Sequence, residues 1–122
     1  MAKNLEISLL MDFYGEMLTE KQREVIDYYY NDDLSLGEIA ANEGITRQGV
    51  RDSIKRAEFQ LLEMEERLGL AKRFREIQGG LEQIMESARR IQEYNDQYLY
   101  SHEITEGIQK ISGIVQKLYD EG

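Results

Sequence analysis

The chain has 122 residues, no cysteine, no proline, 32% charged residues and a net charge of −9. That length holds one ordinary domain, or a small domain with a helical appendage, and the lack of thiols excludes a disulfide framework and a thiolate metal site. The acidic sum counts against a general nucleic-acid binder, whose non-specific affinity comes from phosphate neutralisation. No apolar run approaches the roughly 18 residues of a membrane-spanning helix.

Straight-chain helix formers dominate the sequence and predict an all-α fold. Leu5, Leu9, Leu10 and Phe13 share one face of a first helix over residues 5–14, with Gly15 as its stop. Acid at Glu6 and Asp12 breaks up the start, which therefore does not read as a secretory signal; the expectation is a soluble, cytoplasmic protein. Thr19 with Gln22 forms a capping box, after which Gln22, Val25, Ile26 and Tyr29 follow amphipathic helical spacing. Ser35 with Glu38 opens a short third helix across Leu36, Ile39 and Ala40, which Gly44 ends. Thr46 is the next N-cap. Val50, Ile54, Ala57, Leu61, Met64 and Leu68 then recur at intervals of four and three along one long fourth helix, interrupted at Gly69.

A fifth helix carries Leu70, Phe74, Ile77, Leu81, Ile84, Ala88, Ile91, Asn95 and Tyr98 at heptad spacing, weakened by Gly79-Gly80. A polar stretch from Asn95 to Ser101 leads to a sixth, with Ile104, Ile108, Ile111, Val115 and Leu118. The expected organisation is a helix-turn-helix domain over residues 1–69 and a C-terminal helical hairpin over 70–122. The hairpin either lies on the N-terminal domain or forms a homodimer. The dimer is preferred, because paired half-sites multiply the affinity of one weak reading helix, and Asn95 at a core position would fix its register.

A helix-turn-helix needs a small residue where its two helices touch, a glycine where the chain reverses, and apolar residues on the inner face of the second helix. Ala40, Gly44, and Val50 with Ile54 supply these in order, and Ile45 can plug the turn. Ser53 stands where another apolar residue often sits. Helical rotation then turns Gln48, Arg51, Asp52, Lys55 and Phe59 outward, with Arg47 and Arg56 at the flanks. Residues 46–57 hold Arg47, Arg51, Lys55 and Arg56 against one acid, Asp52, so this face is basic within an acidic chain. The candidate DNA-contacting residues are Thr46, Arg47, Gln48, Arg51, Lys55 and Arg56. Arginine suits guanine, glutamine suits adenine, and Lys55 and Arg56 suit phosphate.

Residues 18–63 resemble sigma factor region four, which reads the −35 promoter element. The matching pieces are Leu18-Thr19, Gln22-Arg23-Glu24-Val25, Tyr29, Glu38-Ile39-Ala40, Gly44-Ile45, Arg47, Val50 and Ala57. More narrowly, residues 5–70 resemble the YlxM family of small proteins from Gram-positive bacteria. That resemblance implies a regulatory or accessory role in the signal recognition particle pathway, since such proteins are encoded beside its GTPase components. The module is read as winged-helix-like. A complete sigma function is not expected, because no region two is present.

Other features read as structural. Tyr28-Tyr29-Tyr30 sits among Asp27, Asp32 and Asp33, so Tyr29 is expected in the core and its neighbours at the surface. His102 is the sole histidine and suits a surface or capping role, not metal. The acid pairs Asp32-Asp33 and Glu65-Glu66 are expected to be solvated. Phe59 with Leu62 reads as a dock for the C-terminal helices. No catalytic set, metal motif or cofactor loop is visible, so no enzyme, metal or cofactor is expected. The leading function is a DNA-binding regulator. An RNA or ribonucleoprotein accessory factor of the signal recognition particle, or a protein-interaction module, remains the alternative.

Overall fold

The computed structural model describes residues 2–121 and divides into two compact units, one ending at Ala71 and one starting at Lys72. The chain is all-helical, as its composition predicts. Among the described residues no strand forms. The winged-helix-like expectation is therefore corrected: a wing needs a β-hairpin after the second helix, and here Gly69 leads directly into another helix.

The first unit contains α1 (Glu6–Tyr14), a 3₁₀ turn (Gly15–Met17), α2 (Glu20–Tyr30), α3 (Leu36–Glu43), α4 (Arg47–Leu68) and the first residues of α5 (Leu70–Tyr94). Both capping boxes form. The Gln22 amide donates to Thr19 Oγ1 and its side chain accepts from the Thr19 amide; Ser35 and Glu38 repeat the pattern at α3. The core joins Ile7, Leu10 and Tyr14 of α1 to Val25, Ile26 and Tyr29 of α2, Ile39 and Ala40 of α3, and Val50, Ile54, Ala57 and Leu61 of α4. One long stripe on α4 thus holds three shorter helices.

Three expectations change. The buried face of α1 is Ile7, Leu10 and Tyr14, while Leu9 and Phe13 are half-buried and Leu5 is exposed. Tyr30 is not a surface residue. Its hydroxyl donates to Glu58 of α4 and accepts from the Asn4 amide at 3.1 Å, and burial with the Glu58 bond pushes its pKa up to about 12. Glu65 is not merely solvated either: its Oε1 accepts from the Tyr14 hydroxyl at 2.6 Å and the Ala71 amide at 3.0 Å, while the Leu70 amide donates to Tyr14 Oη at 3.1 Å. Side chains from α1 and α4 therefore satisfy the first free amides of α5.

Phe59 and Leu62 are exposed, at 66% and 39%, so neither is covered within its own unit.

The second unit is a hairpin. From Asn95 to Leu99 α5 widens into a π-helical turn, Tyr100 takes a left-handed φ of 49°, and α6 runs His102–Glu121. Asn95 is buried and acts as a staple within the chain. Its amide nitrogen donates to Ser101 O at 2.9 Å and Thr105 Oγ1 at 3.0 Å, and its oxygen accepts from the Ser101 amide at 2.8 Å. His102 is exposed at the start of α6, with Nε2 3.8 Å from Glu106.

The α3 cap has a pH signature. The Glu38 carboxylate is held below the usual range by the Ser35 amide and hydroxyl that hydrogen-bond to it. A carboxylate depressed in the folded state contributes stability above its unfolded value of 4.5, and that stability is lost as pH falls through the folded pKa. Glu38→Gln keeps an acceptor that does not titrate. Its urea midpoint is expected to fall less steeply than wild type between about pH 5 and pH 3; parallel curves would place the acid-sensitive group elsewhere.

Candidate nucleic-acid interface

The site is built by the reversal between α3 and α4. Gly44 adopts φ 68°, a left-handed conformation that costs a residue with a side chain about 1–2 kcal/mol, and a Cβ there would meet open space, so the requirement is conformational and not steric. The amides of Gly44 and Ile45 both donate to Ala40 O, which closes the end of α3. Thr46 then caps α4, its Oγ1 accepting from the Gly49 amide at 2.9 Å. Ile45 leans toward Gly49, yet it is 40% exposed and only partly fills the turn.

Val50 and Ile54 are wholly buried, which fixes the rotation of α4. Thr46, Arg47, Gln48, Arg51, Lys55 and Arg56 are all exposed as a consequence. Arg47, Arg51, Lys55 and Arg56 make no ion pair among the described residues and fall together within residues 47–56; of the other cations Lys3, Lys21, Arg67, Arg89 and Arg90 are each paired with an acid, while Arg23, Arg73, Lys110 and Lys117 are unpaired but scattered along the chain. This half of α4 keeps its positive charge for the solvent. Arg47 lies across the first turn of α3, close enough that a Cβ on Gly37 would come within 3.3 Å of its Nε. Together with Leu36, Gln48 and Arg51 it lines an open depression of about 310 Å3.

Asp52 does not orient an arginine. It accepts from Gln48 Nε2 at 2.9 Å. One amide hydrogen of Gln48 is used in that bond, leaving the second hydrogen and Oε1 available. Ser53 is half-buried beside the wholly buried Ile54.

Residues 1–100 match the profile of the family described as "Putative helix-turn-helix protein, YlxM / p13 like". The chain belongs to this family. Among its relatives, the UPF0122 protein of Desulforamulus reducens is 41% identical over 116 residues, covering 95% of this chain and 92% of its own length. A UPF0122 protein of Clostridium kluyveri is 40% identical over 115 residues, 94% of this chain and 96% of its own length. That of Acetivibrio thermocellus is 54% identical over 74 residues, 61% of this chain and 63% of its own. The YlxM resemblance drawn from residues 5–70 thus extends through α5. Within the matched residues, α3, the Gly44 turn and α4 form a helix-turn-helix arrangement.

The sequence marks Leu36 as part of the apolar face of the third helix but places neither it nor Gly37 at the site. Their part in the site comes from the long Arg47 side chain folding back over α3, a contact that local periodicity does not encode. The tyrosine run lies outside the basic face: Lys3 sits 4.8 Å above the Tyr29 ring and also pairs with Asp33, and Tyr28 bonds Glu24 at 3.3 Å. Among the described residues no helix is long and apolar enough to cross a membrane.

Proposed function

We propose that this chain is a non-enzymatic, cytoplasmic DNA-binding regulator in which the first half of α4 enters a major groove. The observation that carries this reading is the set of four unpaired cations on the exposed face of a helix anchored by Val50 and Ile54. Arg47, Gln48 and Arg51 read base edges, with Thr46 at the helix start, and Lys55 and Arg56 hold phosphates. The Gln48 bond to Asp52 supports adenine recognition. It fixes the amide plane and leaves one N–H for N7 and the carbonyl for the N6 amino group. Residues 1–69 form the reading domain, and 70–122 bring two copies together on paired half-sites. The resemblance of residues 18–63 to sigma region four, with the signal recognition particle link that the YlxM resemblance implies, makes control of, or assistance to, that pathway the regulatory context.

The decisive experiment is sequencing of the nucleic acid that co-purifies with the protein from cells. Enrichment of double-stranded DNA fragments sharing a short element is expected. Enrichment of the particle's RNA would assign the basic face to a ribonucleoprotein instead, and absence of any nucleic acid after gentle, low-salt purification would overturn both.

A further inference from the structure

The C-terminal hairpin uses its larger apolar residues in an unexpected way. The residues of α5 turned toward α6 are Gln78, Leu81, Met85, Ala88, Gln92 and Asn95, and of these only Ala88 and Asn95 are fully buried. Two cross-links set the seam: Tyr119 Oη donates to Gln78 O at 3.2 Å and Gln92 Nε2 donates to Thr105 Oγ1 at 3.1 Å. From 78 to 92 along α5 and from 119 to 105 along α6 are both 14 residues, two heptads, so the same register holds along the pair. This seam is mixed: Leu81 and Met85 of α5 and Ile104, Ile108 and Val115 of α6 alternate with polar and small side chains, and most of them stay partly exposed.

The isoleucines lie on an adjoining face. Ile77, Ile84 and Ile91 recur at sevens along α5 and are 49%, 48% and 50% exposed, and Ile111 and Leu118 of α6 are 40% and 48% exposed. Ile84, Ala88 and Ile91 meet Ile108 and Ile111 across one groove of about 550 Å3, completed by Gly80, Gln83 and Ser87. With Ala88 and Val115 the only fully buried apolar side chains of the unit among the described residues, the hairpin has almost no core of its own. Two helices with so little burial are not expected to hold together unaided.

We propose that this face binds a second copy of the same hairpin, giving a two-fold, antiparallel four-helix bundle. Two properties select that partner. Every residue lining the groove is uncharged, although 32% of the chain is charged. Two chains that each carry −9 repel one another, so a self-contact belongs where charge is absent, whereas a basic partner would be met by carboxylates. The size also fits. From Ile77 to Tyr98 the face runs about 30 Å along α5 and about 20 Å across two helices, and this footprint approaches the roughly 800 Å2 per partner of a stable interface. A two-fold axis pairs the isoleucine ladder with its own copy.

The inference supplies the partner surface for the DNA-binding reading and depends on that reading for its purpose alone. The test is light scattering on the full chain at tens of micromolar. Wild type is expected at twice the chain mass, and Ile84→Glu/Ile91→Glu at the single mass with far-ultraviolet helicity largely kept. Because the chain has no cysteine, Ile91→Cys and Glu93→Cys report directly on cover of the face. Thiol alkylation at 91 is expected at least tenfold slower than at 93, and faster on dilution. This second measurement decides the matter even if the double variant unfolds. A wild-type chain at single mass, a double variant that stays dimeric, or equal alkylation at 91 and 93 would overturn the proposal. A monomer that still binds promoter DNA would remove the bundle and leave the reading helix standing.

Discussion

Ile54→Ala is expected to destabilise the N-terminal unit by about 2–5 kcal/mol, the range for emptying a fully buried aliphatic site. Ile54 is at 0% exposure in the middle of α4, the helix against which α1, α2 and α3 all pack. Three helices therefore lose contacts at once, and α4 cannot collapse toward one without leaving the others. Against a total of about 5–15 kcal/mol for a small domain, such a loss is a large fraction. Urea unfolding followed by the tyrosines of α1 and α2 measures it. Ile54→Val is expected to cost about 0.5–1.5 kcal/mol, and Phe59→Ala, on the opposite and exposed side, much less. A small effect at Ile54 with a large one at Phe59 would mean that α4 is rotated by half a turn. The basic residues would then point inward, so this stability series also tests the geometry on which the site rests.

The parts of this fold that were legible are those written locally. Thr19-Gln22 and Ser35-Glu38 announce helix starts because each box closes within four residues, and Gly44 and Gly69 announce ends because a left-handed residue follows a periodic run. The α4 stripe was readable over five turns, which fixed the outward set from Gln48 to Arg56 by rotation alone. What escaped depends on partners distant in sequence. In α1, the expected set Leu5, Leu9, Leu10 and Phe13 and the observed set Ile7, Leu10 and Tyr14 share Leu10 and both have helical spacing. The second is buried because it packs into the core against residues of α2, α3 and α4, and its Tyr14 also bonds Glu65, 51 residues away. Heptad counting merged two faces of α5 into one: Leu81, Ala88 and Asn95 turn into the seam with α6, while the isoleucines at 77, 84 and 91 lie beside it and stay about half exposed. Asn95 looked like a register residue because its spacing is that of a core position. Its role within the chain follows from the π turn beside it, which brings Ser101 and Thr105 within hydrogen-bond reach.

Arg51→Ala is expected to weaken binding to the preferred DNA by about 5- to 150-fold, the 1–3 kcal/mol of one bidentate guanine contact, while leaving affinity for unrelated duplexes nearly unchanged. Arg51 is exposed and unpaired, so the change should shift folding stability by no more than about 0.5 kcal/mol and the loss can be assigned to the interface. Lys55→Ala and Arg56→Ala should behave differently. On the proposed reading each removes a phosphate contact, and the expected result is lower affinity for all sequences alike and a slope of log affinity against log salt reduced by about one. Fluorescence anisotropy across a salt series, on one preferred and one scrambled fragment, separates these outcomes. The acidic remainder of the chain sharpens the contrast, because carboxylates outside the patch repel any duplex that is not seated on α4. If Arg51→Ala lowered both fragments equally, the arginine would be a phosphate clamp and the base-reading role would pass to Arg47 and Gln48. If none of the three changes mattered at low salt, the unpaired charge on α4 would have to serve something other than DNA.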